Sequence, residues 1–251
     1  MMSTMTTDTA SVTEVVPGLH RIELGFVNAY VLENGGDLTL VDAGFFDDAP
    51  LILEALATLG HEPGDLQRIV LTHGHIDHLG AAADLRERTG ARILLSEVDA
   101  GRAAEGWTGH GPMQVQKGFE ELVAGQLTDE DYARKSHGAD SSKPIPITPF
   151  QVDGHLVAGE PVEGIANSEL IATPGHCAGQ LSILLKDGDG ILIAGDAAVN
   201  FGGPPAIAPV GEDLALSQAS FDTLRTFDFE TVVFGHGDPI VGGASAAFRD
   251  A

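Results

Sequence analysis

His73-Gly74-His75-Ile76-Asp77-His78 follows the short β-branched run Arg68-Ile69-Val70-Leu71-Thr72. Three imidazoles and a carboxylate thus fall within six residues, just past a predicted strand. Imidazole and carboxylate are the ligands that zinc, iron and manganese take. In extended backbone, side chains two apart point the same way. His73 and His75 can therefore grip one metal while Asp77 and His78 reach a second. With only ten histidines in 251 residues, three in six are poorly explained as packing.

Upstream, Leu19–Leu24 and Asn28–Glu33 alternate as two strands. Asn34-Gly35-Gly36-Asp37 is a hairpin turn whose glycines accept positive φ, and Leu38–Val41 is a third strand ending at Asp42-Ala43-Gly44. A helix follows, capped by Asp47 or Asp48, with Pro50 in its first turn, an Ile52/Leu56/Leu59 stripe and Gly60 as its stop. Beyond the histidine cluster come a helix from about Leu79 to Thr89, closed by Gly90, and the strand Arg92–Ser96. Residues 101–149 break this rhythm with Trp107, scattered glycines and prolines that include Pro144, Pro146 and Pro149. Within them Val115, Phe119, Leu122 and Val123 form a helical stripe, and Thr128 before Asp129-Glu130-Asp131 starts a second helix. This stretch reads as a helical insertion, either a lid over the site or a cover for an exposed sheet face.

Strand signals return at Gln151–Val157, Glu169–Ala172, Leu181–Lys186, Ile191–Ala194 and Thr231–Phe234, with a helix over Asp213–Thr226. The alternation suggests an α/β fold of two β-β-α halves, sheets inside and helices outside. Three further polar residues each sit just after a strand: His176 in Thr173-Pro174-Gly175-His176, Asp196 in Ala194-Gly195-Asp196-Ala197, and His236 in Gly235-His236-Gly237. Flanking glycines permit close backbone approach there. With the opening cluster they make a set of seven candidate ligands.

Four motifs in this order, H-x-H-x-D-H, T-P-G-H, G-D-A and G-H-G, resemble the metallo-β-lactamase-fold superfamily of hydrolases over roughly residues 15–240. The resemblance implies a four-layer αββα sandwich. It implies that His73, His75 and His176 hold one divalent metal and Asp77, His78 and His236 a second. Asp196 would bridge the two ions, which would be zinc first, with iron or manganese as alternatives. Asp42 matches a position that orients a ligand histidine from behind. The chemistry implied is hydrolysis of an ester, thioester or lactone by a metal-bound hydroxide, with Asp77 as both ligand and catalytic proton carrier. The glyoxalase II and lactonase branches resemble it most. Yet the chain's few lysines disfavour the basic glutathione site of the first, and Val199 stands where homoserine lactonases commonly carry tyrosine. Asp196 at the bridging position argues against β-lactam hydrolysis as the main role. A persulfide dioxygenase with one iron, held by two histidines and an aspartate, is the alternative that the ligands leave open; a phosphodiesterase fits less well.

Composition narrows the rest. The formal charge of −24, with 37 acids against 13 bases, disfavours nucleic acid and anionic membranes as partners. A small-molecule substrate is expected, and a homodimer is compatible with it. Asp outnumbers Glu by 21 to 16 and lysines number four, which suggests adaptation to high salt. One cysteine, Cys177, and no apolar run of bilayer length fit a cytoplasmic protein. Residues 1–12 read as a flexible tail before a single domain over 13–251, the insertion spanning 101–149. Candidate pocket walls are Phe45, Phe46, Trp107, His110 and Phe201.

Overall fold

The strand before the histidine cluster spans Leu66–Val70 in the computed structural model, which describes residues 11–108, 113–127, 130–135 and 145–251. Successive side chains of a strand point to opposite faces. Ile69 and Leu71 enter one core while Val70 enters another, and in the next strand Ile93 and Leu95 part from Leu94 in the same way. A strand buried on both faces needs a layer on each side, and the chain supplies them.

The first half comprises β1 (Ser11–Val16), β2 (Leu19–Glu23), β3 (Asn28–Asn34), β4 (Asp37–Val41), α1 (Ala49–Thr58), β5 (Leu66–Val70), α2 (Ile76–Leu79), α3 (Ala82–Thr89), β6 (Arg92–Ser96) and α4 (Glu97–Ala104). Then come β7 (Trp107–Thr108), β8 (Gln114–Val115), α5 (Glu120–Leu127), α6 (Glu130–Lys135), β9 (Ile145–Pro146) and β10 (Gly154–Leu156). The second half has β11 (Ser168–Ala172), β12 (Leu181–Leu185), β13 (Ile191–Ile193), β14 (Val210–Gly211), α7 (Leu214–Leu224), β15 (Thr231–Val233), β16 (Ile240–Val241) and α8 (Ala244–Asp250).

Seven strands form one sheet in the order β1-β2-β3-β4-β5-β6-β10, and five form the other in the order β11-β12-β13-β15-β16. Ile52 and Leu56 of α1 and Leu85 of α3 cover the outer face of the first sheet. Phe221 and Leu224 of α7 and Phe248 of α8 cover the outer face of the second. Tyr30, Val41, Val70 and Leu94 meet Leu170, Ile183, Ile193 and Val233 between the sheets. The layering is αββα, as the sequence led us to expect. The Gly35-Gly36 turn closes β3 on β4 with both residues at positive φ (61° and 99°), and Gly90 ends α3 in the left-handed region.

Several boundaries differ from the sequence reading. The tail does not reach residue 12: Ser11 and Val12 already pair with Glu23 and Ile22, and Val12 packs on the first core. The insertion does not start at Gly101, which lies inside α4, a helix that begins at Glu97 with Ser96 as its cap. Nor is it purely helical. Val115 belongs to β8, which pairs with β14, and Gly118 at φ 96° separates it from α5. The expected stripe therefore faces outward, with Leu122 54% exposed. Thr128 and Asp129 lie outside the described residues. Asp48 precedes α1 without capping it; its carboxylate accepts the Phe45 N–H at 2.9 Å and the Lys135 Nζ at 3.0 Å.

That last pair tethers α6 to the first half. Lys135 also donates to the Leu24 carbonyl and lies 5.9 Å over the Phe45 ring. Burial pushes the Asp48 carboxyl up against the opposing pull of Lys135. Lys135→Met would strand a buried charge and should cost about 3–5 kcal/mol. Asp48 can relieve that loss by taking up a proton, so the variant should recover stability as pH falls. Urea midpoints of wild type and variant at pH 5 and pH 8 would check this; a pH-independent difference would count against it.

Among the described residues, no helix is long and apolar enough to cross a membrane.

Candidate metal centre

The seven candidate ligands come together at one edge of the sandwich. His73, His75, Asp77 and His78 follow β5, His176 follows β11, Asp196 follows β13 and His236 follows β15. Backbone bonds join the two sheets at this edge: Leu181 N–H donates to Thr72 O at 3.0 Å, and Asn28 N–H to Gly235 O at 2.8 Å. The Tyr30 hydroxyl adds a bond to Phe234 O at 2.7 Å.

Ligand atoms within 4.8 Å of one another fall into three groups: His73/His75/His176, Asp77/His78/His236, and His73/His78/Asp196. His75 Nδ1 lies 2.9 Å from His73 Nε2 and 2.7 Å from His176 Nε2. Asp77 Oδ2 lies 3.3 Å from His236 Nε2 and 3.7 Å from His78 Nε2. Asp196 spans the two sets, its Oδ2 3.3 Å from His176 Nε2 and 3.1 Å from His236 Nε2.

Four imidazoles are anchored from behind, leaving Nε2 directed inward. Nδ1 of His73 meets Thr72 Oγ1 at 3.0 Å, that of His78 meets Asp42 Oδ2 at 2.9 Å, that of His176 meets Val210 O at 2.8 Å, and that of His236 meets Phe26 O at 2.9 Å. This outward tethering fixes tautomer and ring orientation in metal sites. Asp42 is the one non-glycine at positive φ among the described residues, at 61°. The strained backbone is held because its carboxylate also accepts the Thr72 N–H at 2.8 Å and the Thr72 hydroxyl.

The donor set fits divalent metal ions. His78 Nε2 and Asp196 Oδ1 are fully buried, 3.5 Å apart, and have no hydrogen-bond partner. Orphaned polar atoms of this kind need an explanation, and a bound cation supplies one. The electrostatics agree. Burial pushes the Asp196 carboxyl up, but the charges of His236 and His78 outweigh it and hold the group well below the usual range. Asp77 is likewise held down, by His78 and His236 against burial. Burial lowers His78 and His236, but the carboxylates win; His236 is pushed up to about 10 and His78 lies well above its ordinary value. Without metal, these histidines share the pocket with their carboxylates as ion pairs.

Residues 22–236 match the family model described as the metallo-beta-lactamase superfamily. This chain belongs to that superfamily. The Bacillus subtilis (strain 168) protein named Probable metallo-hydrolase YflN is 25% identical over 247 residues, covering 91% of this chain and 87% of its own. A protein named Hydroxyacylglutathione hydrolase, from Acidiphilium cryptum (strain JF-5), is 28% identical, covering 83% of this chain and 63% of its own. The crystal structure of the metallo-β-lactamase MIM-1 from Novosphingobium pentaromativorans superposes with a TM-score of 0.68 at 19% identity, over 96% of this chain and 86% of the other. That last likeness speaks for the fold alone. The superfamily membership and the metallo-hydrolase relatives make the chain a metal-dependent hydrolase.

The expected pocket walls divide. Trp107 and Phe201 are 46% and 56% exposed. Thr108, next to Trp107, donates its hydroxyl to Gly74 O inside the H-x-H loop. Asn200, next to Phe201, donates its N–H to His236 O at 3.2 Å. Phe45 is no wall: it is fully buried in the first core, because the turn after Asp42 folds it inward over α1. Phe46 is half-buried against the same core. His110 lies outside the described residues. Sequence reasoning missed Phe26, whose ring lies 4.4 Å from that of His236. It also missed Gln180, whose carboxamide oxygen, with the amide turned over, accepts the N–H groups of Asp196 and Ala197, and the buried Asp99 beside Gly74. Cys177 is buried, burial together with Asp99 and Glu212 pushes its thiol well above the usual range, and it belongs to none of the three ligand groups found among the described residues.

Proposed function

We propose that this chain hydrolyses an ester, thioester or lactone at a site for two divalent ions, zinc foremost. His73, His75 and His176 would hold one ion and Asp77, His78 and His236 the other, with Asp196 shared. The observation that carries this reading is the pair of buried atoms without a hydrogen-bond partner, His78 Nε2 of the second three-ligand group and Asp196 Oδ1, whose carboxylate faces both groups. Bound there, two such ions supply Lewis acidity and bring the pKa of water from 15.7 towards about 7.

The protein groups do the rest. Thr72, Asp42, Val210 and Phe26 hold four imidazoles with their lone pairs inward. Asp77 keeps 14% of its side chain exposed, against 4% for Asp196. Asp77 is therefore the carboxylate placed to take a proton from the attacking water and pass it outward. The exposed rings of Phe26, against His236, and of Trp107 and Phe201, each next to a residue bonded to a ligand loop, would suit an uncharged acyl group. The relatives named Hydroxyacylglutathione hydrolase support the thioester within this class.

Metal-loaded protein should hydrolyse members of a panel of p-nitrophenyl esters, thioesters and lactones in preference to phosphodiesters. One bound iron with oxygen uptake on a persulfide would overturn the hydrolytic reading. Trp107→Ala should alter KM or acyl preference while bound metal, measured by atomic emission, stays constant. Parallel loss of metal would instead show that Trp107 is structural.

A further inference from the structure

Asp99, in α4, is none of the seven candidate ligands, yet it is 1% exposed and touches their loops. Its Oδ2 accepts the N–H of Gly74, the amide between His73 and His75, at 2.9 Å. Its Oδ1 faces Arg102 Nη1 at 3.4 Å, and Arg102 Nη2 reaches Glu212 Oε1 at 3.3 Å. Glu212 Oε2 accepts the N–H of Ala178, two residues past His176, at 2.8 Å. A chain of three charged side chains thus runs from inside the first histidine pair to the loop of the third histidine.

The packing is as specific as the bonding. A Cβ on Gly74 would lie 3.0 Å from Asp99 Cβ, and one on Gly179 would lie 2.4 Å from Asp99 Cγ. Neither glycine has positive φ. The two loops close on the Asp99 carboxylate so tightly that Gly179 has no room for a side chain and a Cβ at Gly74 would press directly on Asp99. The Cys177 thiol completes the enclosure, 3.6 Å from Asp99 Oδ2. The Asp77/His78/His236 group hangs on other supports, Asp42 and the Phe26 carbonyl.

We propose that Asp99, acting through Arg102 and Glu212, is a positioning residue that fixes the spacing of His73 and His75 against His176, and so sets the affinity of that triad alone. This rests on the two-ion reading above. Buried charge-assisted bonds are strong and directional, and supports behind metal ligands are typically worth about 10–100-fold in affinity.

Chelator-stripped protein titrated with Co(II), followed by visible absorption and calorimetry, tests it. Two binding steps in the wild type are required by the two-ion reading; fewer steps would fault that reading before any variant is made. Asp77→Asn identifies the step that belongs to the other triad. Asp99→Asn should weaken the remaining step by about 10–100-fold and leave the first in place. Glu212→Gln, at the outer end of the relay, should shift the same step less, and it carries the test if Asp99→Asn does not fold. Equal weakening of both steps, weakening of the step that Asp77→Asn identifies, or no change in either would overturn the proposal.

Discussion

Asp196→Ala should lower metal content and hydrolysis together, with metal affinity falling by at least about 100-fold, the upper value for a mere supporting residue. Asp196 touches a nitrogen from each triad, at 3.3 Å from His176 and 3.1 Å from His236. Its removal takes a shared ligand from both, while His73 and His176 of the first triad keep their own anchors. Residual metal should therefore be one equivalent or less, held by His73, His75 and His176. Dialysis at fixed free zinc followed by metal analysis reads this directly. Wild-type stoichiometry in the variant would exclude Asp196 from the bridging role.

The same residue governs pH behaviour without metal. His236 is held protonated up to about pH 10 by the carboxylates around it. A histidine whose pKa rises on folding adds stability that is complete below its unfolded value near 6.5 and is lost as pH climbs through its folded value. Metal-free wild type should therefore lose stability between about pH 6.5 and pH 10. Asp196→Ala removes the main partner and should flatten that slope. Metal must displace the same protons, so affinity should rise with pH across this window. Thermal unfolding and zinc competition at several pH values would show both trends; a flat wild-type profile would refute the linkage.

The seven ligand candidates could be read from sequence because each lies in a short motif at a strand end, where local chemistry and local geometry coincide. His73 and His75 are two apart in extended chain, and Gly175, Gly195 and Gly235 mark the turns that bring in the others. The four layers were legible for a similar reason, since strands such as Leu66–Val70 carry apolar residues on both faces. What escaped was long-range. Asp99 gives no motif signal; its role appears only when α4 packs it between Gly74 and Gly179. Phe45 and Phe46 are adjacent in sequence, and nothing local says that one turns into the core. The outward face of α5 misled because the Val115/Phe119/Leu122 spacing is helical, while Gly118 and the pairing of β8 with β14 break the helix before it can form a buried stripe.

Asp42→Asn should remove activity while sparing the fold, and the reason is a tautomer. Asp42 Oδ1 accepts the Thr72 N–H, and Oδ2 accepts from His78 Nδ1, which leaves His78 Nε2 facing Asp77 and Asp196. Asparagine tolerates the left-handed backbone at this position, as aspartate does. Its carbonyl oxygen can keep the Thr72 bond, but its amide nitrogen then faces His78 Nδ1 and donates. That places the imidazole proton on Nε2, the atom the second ion needs. Affinity of the Asp77/His78/His236 group should fall by about 10–100-fold, and the His73/His75/His176 group, which Asp42 reaches only through the Thr72 hydroxyl behind His73, should be weakened less. Asp42→Ala is the contrasting case. It leaves the Thr72 N–H and His78 Nδ1 buried without their partner, and it should cost about 3–5 kcal/mol of stability as well. Metal stoichiometry beside urea unfolding separates the two outcomes. An Asp42→Asn protein with two tightly held ions would show that Asp42 does not orient His78 for metal.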